Sequence, residues 1–169
     1  SLESCEDGSK AGMNDPAAVM LYGDTVRRPE LRHEVPLTIV DPFLFIEAGD
    51  RRVVVVGDLE VPRVEKLDGF EVVSTESFGY SKLRGETSLT EAAYEVVRRA
   101  CREVGVSHAV VPSDFPLALA RSLEDAGIAL DPREDVFTHR RRQKTDAELK
   151  GIVAAQRTAQ QHCAEAGRD

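Results

Sequence analysis

The stretch DPFLFIEAGDRRVVVVGD, residues 41–58, decides the fold class. Residues 43–47 and 52–56 are rich in aromatic and β-branched side chains, which favour strands. The Gly-Asp pair between them has the chemistry of a tight hairpin turn. The four consecutive valines at 53–56 predict a strand that is buried on both faces of a sheet.

Helix and strand patterns alternate after this hairpin. Ser88 and Glu91 form an S-x-x-E capping box ahead of apolar positions with helical spacing, and Gly105 is a typical helix end. The whole order predicts an α/β domain with a mixed sheet of five to six strands, parallel in its later part, and helices on both faces. The remaining segments are predicted as helix at 59–67, strand at 70–74, strand at 108–112, helix at 113–127 and strand at 128–132.

Composition excludes several classes of protein. The 169 residues fit one domain, and the formal net charge of -8 argues against a general nucleic-acid binder, whose surface would be basic. Cys5, Cys101 and Cys163 are widely spaced and form no C-x-x-C pair, which indicates a reducing cytoplasm. Residues 1–15 are polar and are expected to be a disordered leader or a cloning remnant. We see no signal peptide and no apolar run that approaches a membrane span.

The sequence shows no clustered catalytic set. Its four histidines are far apart without metal-binding spacing, and there is no G-x-S-x-G nucleophile elbow. Asp41, Asp58 and Asp114 lie near strand ends, where α/β enzymes often keep their acids, although capping and turn roles explain them as well. A stand-alone hydrolase that acts through these aspartates remains one alternative.

The segment LRHEVP, residues 31–36, is the least explained polar stretch. It lies between Pro29 and Pro36 and is predicted to be a loop before the first clear strand. A solvated connection is the simple interpretation, and a functional rim is the alternative, because loops on a rigid scaffold often carry binding groups.

A resemblance emerges from RRQKTDAELKGI, residues 141–152. Its residues fit the pattern R-x-x-K-[ST]-x-x-E-[IL] at the junction between the N-terminal and catalytic domains of pita-bread metallopeptidases. The order of elements from about residue 20 agrees with that family, which includes Xaa-Pro aminopeptidase, prolidase and creatinase. The matching residues are Arg141, Lys144, Thr145, Glu148 and Leu149.

The resemblance implies a domain organisation and a function. Residues 16–138 would be the creatinase/prolidase-type N-terminal domain, ribonuclease H-like in fold, and 139–169 the hinge and first helix of the catalytic domain. That domain would bind two divalent ions (Mn, Co or Zn), so no catalytic residue, metal ligand or cofactor is assigned in this chain. The chain would instead help to form a homodimer and restrict the access of peptide substrates. Arg32, His33 and Glu34 would form the substrate-access loop, although only Arg32 is retained from the family pattern N-x-R-Y-x-T-G.

Two further alternatives stay open within the resemblance. The parent protein would be either a catalytically inactive relative that binds a protein or peptide, or a creatinase-like amidinohydrolase. The basic run HRRRQK, residues 139–144, is interpreted as a hinge rather than a nucleic-acid site. A terminal helix at 146–166 is predicted to be ordered and to make contacts between chains, because its apolar positions need a partner surface.

Overall fold

The computed structural model describes residues 17–143, and within them the chain forms one six-stranded mixed sheet. The strand order is β4-β3-β2-β1-β5-β6. The leader at 1–15 and the predicted terminal helix at 146–166 therefore lie outside the described residues. The strands are β1 (Ala18–Gly23), β2 (Phe43–Ala48), β3 (Arg51–Val56), β4 (Glu71–Ser74), β5 (His108–Val111) and β6 (Ala129–Pro132).

The hairpin predicted at residues 41–58 is confirmed. β2 and β3 pair antiparallel, with Ala48 opposite Arg51 and Glu47 opposite Arg52. Gly49 turns the chain at φ 58°, a left-handed conformation that glycine adopts without steric cost. Each valine at 53–56 is at most 2% exposed, because side chains from both faces of the sheet cover this strand.

Five of the six strands run in one direction. β1 pairs parallel with β5, β5 with β6, and β3 with β4, whereas β2 is antiparallel to both of its neighbours. The edge of the sheet at which these five strands end is called the carboxyl edge below, and the opposite edge is the amino edge.

Helices cover both faces, as predicted. The first face packs against α3, α4, α5 and a short 3-10 helix, and the second packs against α1, α2 and α6. Two separate apolar clusters result, one on each side of the sheet. The helices are α1 (Pro29–Glu34), α2 (Val61–Val64), α3 (Tyr80–Glu86), α4 (Leu89–Val104), α5 (Leu117–Asp125) and α6 (Glu134–Arg142), and the 3-10 helix is Thr75–Phe78.

Helix α4 has the ends that its sequence predicts. The Ser88 side chain accepts a hydrogen bond from the backbone N–H of Glu91, which satisfies a donor that the first helical turn leaves unpaired. Gly105 ends the helix in the left-handed region at φ 82°. The buried side of the helix lies on the first face of the sheet and includes Val96 and Val97.

Five elements were not predicted from the sequence: β1, α1, the 3-10 helix, α3 and α6. The segment of β1, AVMLYG, has only two residues that favour strands, Val19 and Tyr22, and its strand conformation is stabilised by pairing with β2 and β5. Helix α6 carries a single buried apolar side chain, Phe137, on an otherwise polar segment. Residues 139–142 of the predicted hinge are therefore helical, whereas the domain boundary itself stays a prediction.

Candidate functional site

Four charged side chains join the last described helix to the sheet. Arg140 on α6 donates through both terminal nitrogens to Glu47 of β2, at 2.9 Å each, and through Nε to Glu34 of α1 at 2.7 Å. Arg52 of β3 donates through Nη2 to the other oxygen of Glu34 at 2.8 Å. These residues, Glu34, Glu47, Arg52 and Arg140, are called the Arg140 cluster below.

Aromatic rings complete the cluster on its Arg52 side. The guanidinium of Arg52 lies 4.5 Å from the ring centroid of Phe70 and 5.5 Å from that of Phe45. Both distances are within the range of cation–π attraction. Arg52 Nε lies 3.4 Å from Glu47 but forms no hydrogen bond, so its contact with Glu47 is purely ionic.

The cluster changes the protonation behaviour of its members. Burial alone would raise the pKa of Glu47, but hydrogen bonds from Arg140 and the positive charges of Arg140 and Arg52 hold that pKa below its ordinary value. Burial would also lower the pKa of Arg140, and its hydrogen bonds with Glu47 and Glu34 outweigh this and raise it. Glu47 and Arg140 therefore both stay charged at neutral pH.

The predicted substrate-access loop is a helix in the structure, so its placement as a loop was wrong. Residues 29–34 form α1, with Pro29 in the first turn, where its missing N–H has no cost. Arg32 is exposed and donates to Thr38 Oγ1 at 2.7 Å, His33 is half-buried, and Glu34 is buried in the Arg140 cluster. The three predicted residues thus do not share one surface, and their role towards a substrate stays a prediction.

The junction motif is described only at its first residue. Arg141 lies on α6 and binds Glu30 of α1 at 2.8 Å, with Glu134 at 3.7 Å. Within the basic run, Arg140 and Arg141 are therefore bound to acidic side chains of their own domain. The other members of the motif, Lys144, Thr145, Glu148 and Leu149, lie outside the described residues.

Two of the candidate aspartates line a cleft at the carboxyl edge. Asp41 and Asp58 border a cleft of about 250 Å³ between the ends of β3 and β4. Asp58 also accepts a hydrogen bond from Ser74 Oγ. Asp114 lies elsewhere on this edge and pairs with Arg28, so the three aspartates do not form one site.

Sequence reasoning missed the Arg140 cluster, although part of its signal was present. The two-residue turn of the hairpin places Glu47 directly opposite Arg52, a cross-strand ion pair that the register alone predicts. The contribution of Arg140 had no such signal, because α6 was not predicted.

Within residues 17–143, no group of three or more His, Cys, Asp or Glu side chains is placed to hold a metal ion, and no helix has the length and apolarity needed to cross a membrane.

Solved Xaa-Pro peptidases have the same architecture. An X-Pro aminopeptidase from Thermotoga maritima matches 79% of this chain at 12% identity, with a TM-score of 0.60, over 35% of its own length. An Xaa-Pro dipeptidase from Bacillus anthracis matches 79% at 16% identity, with a TM-score of 0.55, over 33% of its length. A Streptococcus thermophilus Xaa-Pro aminopeptidase structure matches 73% at 11% identity, with a TM-score of 0.52, over 84% of its length.

The chain has the fold of the N-terminal domain of Xaa-Pro peptidases. It spans about a third of the Thermotoga maritima and Bacillus anthracis chains. No protein-family model matches the sequence, and no curated protein matches it at a significant level. At identities of 11–16%, these likenesses establish the fold, and the resemblance seen at the junction motif agrees with it.

Proposed function

We propose that this chain is the non-catalytic N-terminal domain of a Xaa-Pro peptidase, in which it supports dimer formation and restricts the access of peptide substrates. The observation that carries the proposal is the fold match over 79% of the chain to an X-Pro aminopeptidase structure. The junction motif also supports it, and its first residue, Arg141, lies on α6, the last described helix.

The Arg140 cluster supports the proposed arrangement of domains. Helix α6 begins at the carboxyl edge, where Glu134 accepts a hydrogen bond from Ser113, and ends at the amino edge, where Arg140 binds Glu47. Arg140 also binds Glu34 at the end of α1. The described end of α6 therefore lies beside α1. A domain joined to this end would face the exposed side of α1, including Arg32.

The two divalent ions of such an enzyme would be held by residues outside this domain. The described residues offer no fitting group of ligands, so we assign none of them to a metal and derive no chemical step through one. The proposed contribution of this chain is to support dimer formation and to restrict the access of peptide substrates. A cytoplasmic location stays a prediction from the cysteine pattern.

Peptidase assays test the proposal. We expect the product of the whole gene to cleave an Xaa-Pro dipeptide or a longer peptide with proline in second position, when supplied with Mn²⁺, Co²⁺ or Zn²⁺. We expect the 169-residue chain alone to be inactive under the same conditions. Strong activity of the chain alone would contradict a non-catalytic role, and an inactive whole protein would favour the binding-module alternative.

Two variants of α1 test the restriction of access. In the whole protein, Arg32→Ala and His33→Ala are expected to change KM for longer peptides relative to dipeptides, with little change in Tm. Arg142→Ala is the matched control, because Arg142 is exposed at the end of α6. Glu34→Ala does not suit this purpose, since Glu34 is buried and its loss would destabilise the Arg140 cluster. Unchanged kinetics in both α1 variants would leave α1 without the proposed role.

A further inference from the structure

The connections after β3 and β4 leave the sheet in opposite directions. After β3 the chain forms α2, whose Val64 packs on the second face. After β4 it forms the 3-10 helix and α3, whose Phe78 and Leu83 pack on the first face. In open α/β sheets, ligands bind in the crevice that such a divergence opens outside the carboxyl ends of adjacent parallel strands.

A cleft occupies this crevice, and we call it the switch cleft. It has a volume of about 250 Å³, and its lining includes Asp58 and Leu59 after β3 and Glu76 and Tyr80 after β4. Its walls are held in place locally. The backbone N–H of Glu60 donates to Gly57 at 2.9 Å, Ser74 binds Asp58, and Ser81 Oγ donates to Glu76 at 2.6 Å.

The lining of the switch cleft is acidic, with exposed apolar side chains beside it. Four carboxyl groups line it, from Asp41, Asp58, Glu60 and Glu76, and one guanidinium, from Arg84. Glu60 pairs with Arg63 at 2.6 Å, which leaves three carboxyl groups beside Arg84. Among residues 17–143, no ion pair involves Asp41. Leu59 is 92% exposed, and Val40, which precedes Asp41, is 71% exposed. Such a surface complements a cationic group with an apolar neighbour.

The same sheet shows what fills a crevice of this kind. β1 and β5 are also adjacent and parallel, and their helices α1 and α5 pack on opposite faces. There Arg28 lies against the end of β1, where a Cβ atom at Gly23 would come within 3.0 Å of Arg28 Cγ. Its guanidinium pairs with the Asp114 carboxylate and donates to the Asp114 carbonyl at 3.1 Å. One divergence of the sheet thus holds an arginine of the chain itself against an aspartate.

We propose that the switch cleft binds one arginine or lysine side chain of a peptide segment, with an adjoining apolar residue on Leu59. The volume is below the roughly 300–1,000 Å³ of pockets for drug-sized ligands, so it suits a single side chain. In this proposal, Asp41 and Asp58 bind the cationic side chain of the peptide, as Asp114 binds Arg28. This inference goes beyond the proposed function and does not depend on it.

A titration followed by amide NMR of the 169-residue chain tests the proposal. The probe is the acetylated and amidated peptide Gly-Leu-Arg-Leu-Gly, with Gly-Leu-Glu-Leu-Gly as the charge control. The arginine peptide is expected to shift amide signals of residues 57–60 and 75–80 in a saturable way and the glutamate peptide to leave them unchanged. Raising the salt to roughly 0.3 M should weaken binding, because exposed charges are screened.

Matched variants decide between this site and a general acidic surface. Asp41→Asn and Leu59→Ser are each expected to weaken binding about threefold or more, since each removes one of the two proposed contacts. Asp125→Asn and Leu117→Ser alter an exposed aspartate and an exposed leucine elsewhere and should leave binding unchanged. The proposal is overturned if no saturable shift occurs, if the shifts lie elsewhere, or if all four variants respond alike.

Discussion

Replacing Arg140 with methionine tests how far one side chain holds α6 on the domain. Methionine keeps most of the aliphatic stem but removes the guanidinium that binds Glu34 and Glu47. Arg52 remains bound to Glu34, so one of the two cations of the cluster is lost. The variant is left with two carboxylates against a single guanidinium.

The expected cost follows from the exposure of the three groups. Removal of one partner from a fully buried ion pair costs about 3–5 kcal/mol. The Arg140 and Glu47 side chains are 25% and 26% exposed, whereas Glu34 is 7% exposed. Water therefore relieves part of the penalty at Glu47 and little at Glu34. We expect a loss of about 2–3 kcal/mol in the free energy of unfolding, or about 4–12 °C in Tm.

Urea unfolding followed by far-UV circular dichroism measures this loss, because the chain contains no tryptophan. Arg142→Met is the matched control, and it should change the free energy of unfolding by less than about 0.5 kcal/mol. A double-mutant cycle with Glu47→Gln should give a coupling energy of about 1–2 kcal/mol. If Arg140→Met is as stable as Arg142→Met, the Arg140 cluster is only a surface contact and our account of α6 is wrong.

Three further predictions concern pH, a helix end and a thiol. Because its pKa is lowered on folding, Glu47 contributes stability that is present above about pH 4.5 and lost as the pH falls. In urea titrations, the difference in unfolding free energy between the parent chain and Glu47→Gln should therefore be smaller at pH 3.5 than at pH 7. Gly105→Ala should cost about 1 kcal/mol in urea unfolding, since Gly105 has φ 82° with open space around it, whereas Gly57→Ala, without a positive φ, should cost almost nothing. Burial raises the pKa of Cys101 to about 12. In a variant without the other two cysteines, a thiol reagent at pH 8 should therefore react slowly with the folded protein and quickly once urea is added. Fast reaction of the folded protein would show that α4 opens.

The elements that the sequence predicts are those with strong local signals. The valine run of β3 and the two ends of α4 carry apolar patterning or capping that tertiary contacts only reinforce. Helix α1 has a helix-start signal in Pro29, but its six residues are too short for a periodic pattern, and the flanking prolines are equally typical of a loop.

The Arg140 cluster illustrates why the candidate site was harder to predict. The Glu47–Arg52 pair follows from the hairpin register, whereas the contacts of Arg140 with Glu34 and Glu47 span 106 and 93 residues. No local pattern encodes such contacts, because they depend on where α6 crosses the second face. The switch cleft is similar, since it arises from the directions of α2 and α3 and not from any one motif.

The closeness of Arg140 to β1 has a consequence for protein engineering. Val19, the second residue of β1, lies opposite Glu47 in the sheet, and Glu47 binds Arg140, three residues before the last described residue. The two boundaries of the described domain are therefore neighbours in space. A domain with this property suits insertion into a surface loop of an unrelated host, and a short glycine-serine linker would join its ends in a circular permutant. New termini at the exposed Gly49–Asp50 turn would cut the β2–β3 hairpin and show whether that hairpin must be continuous for the sheet to assemble.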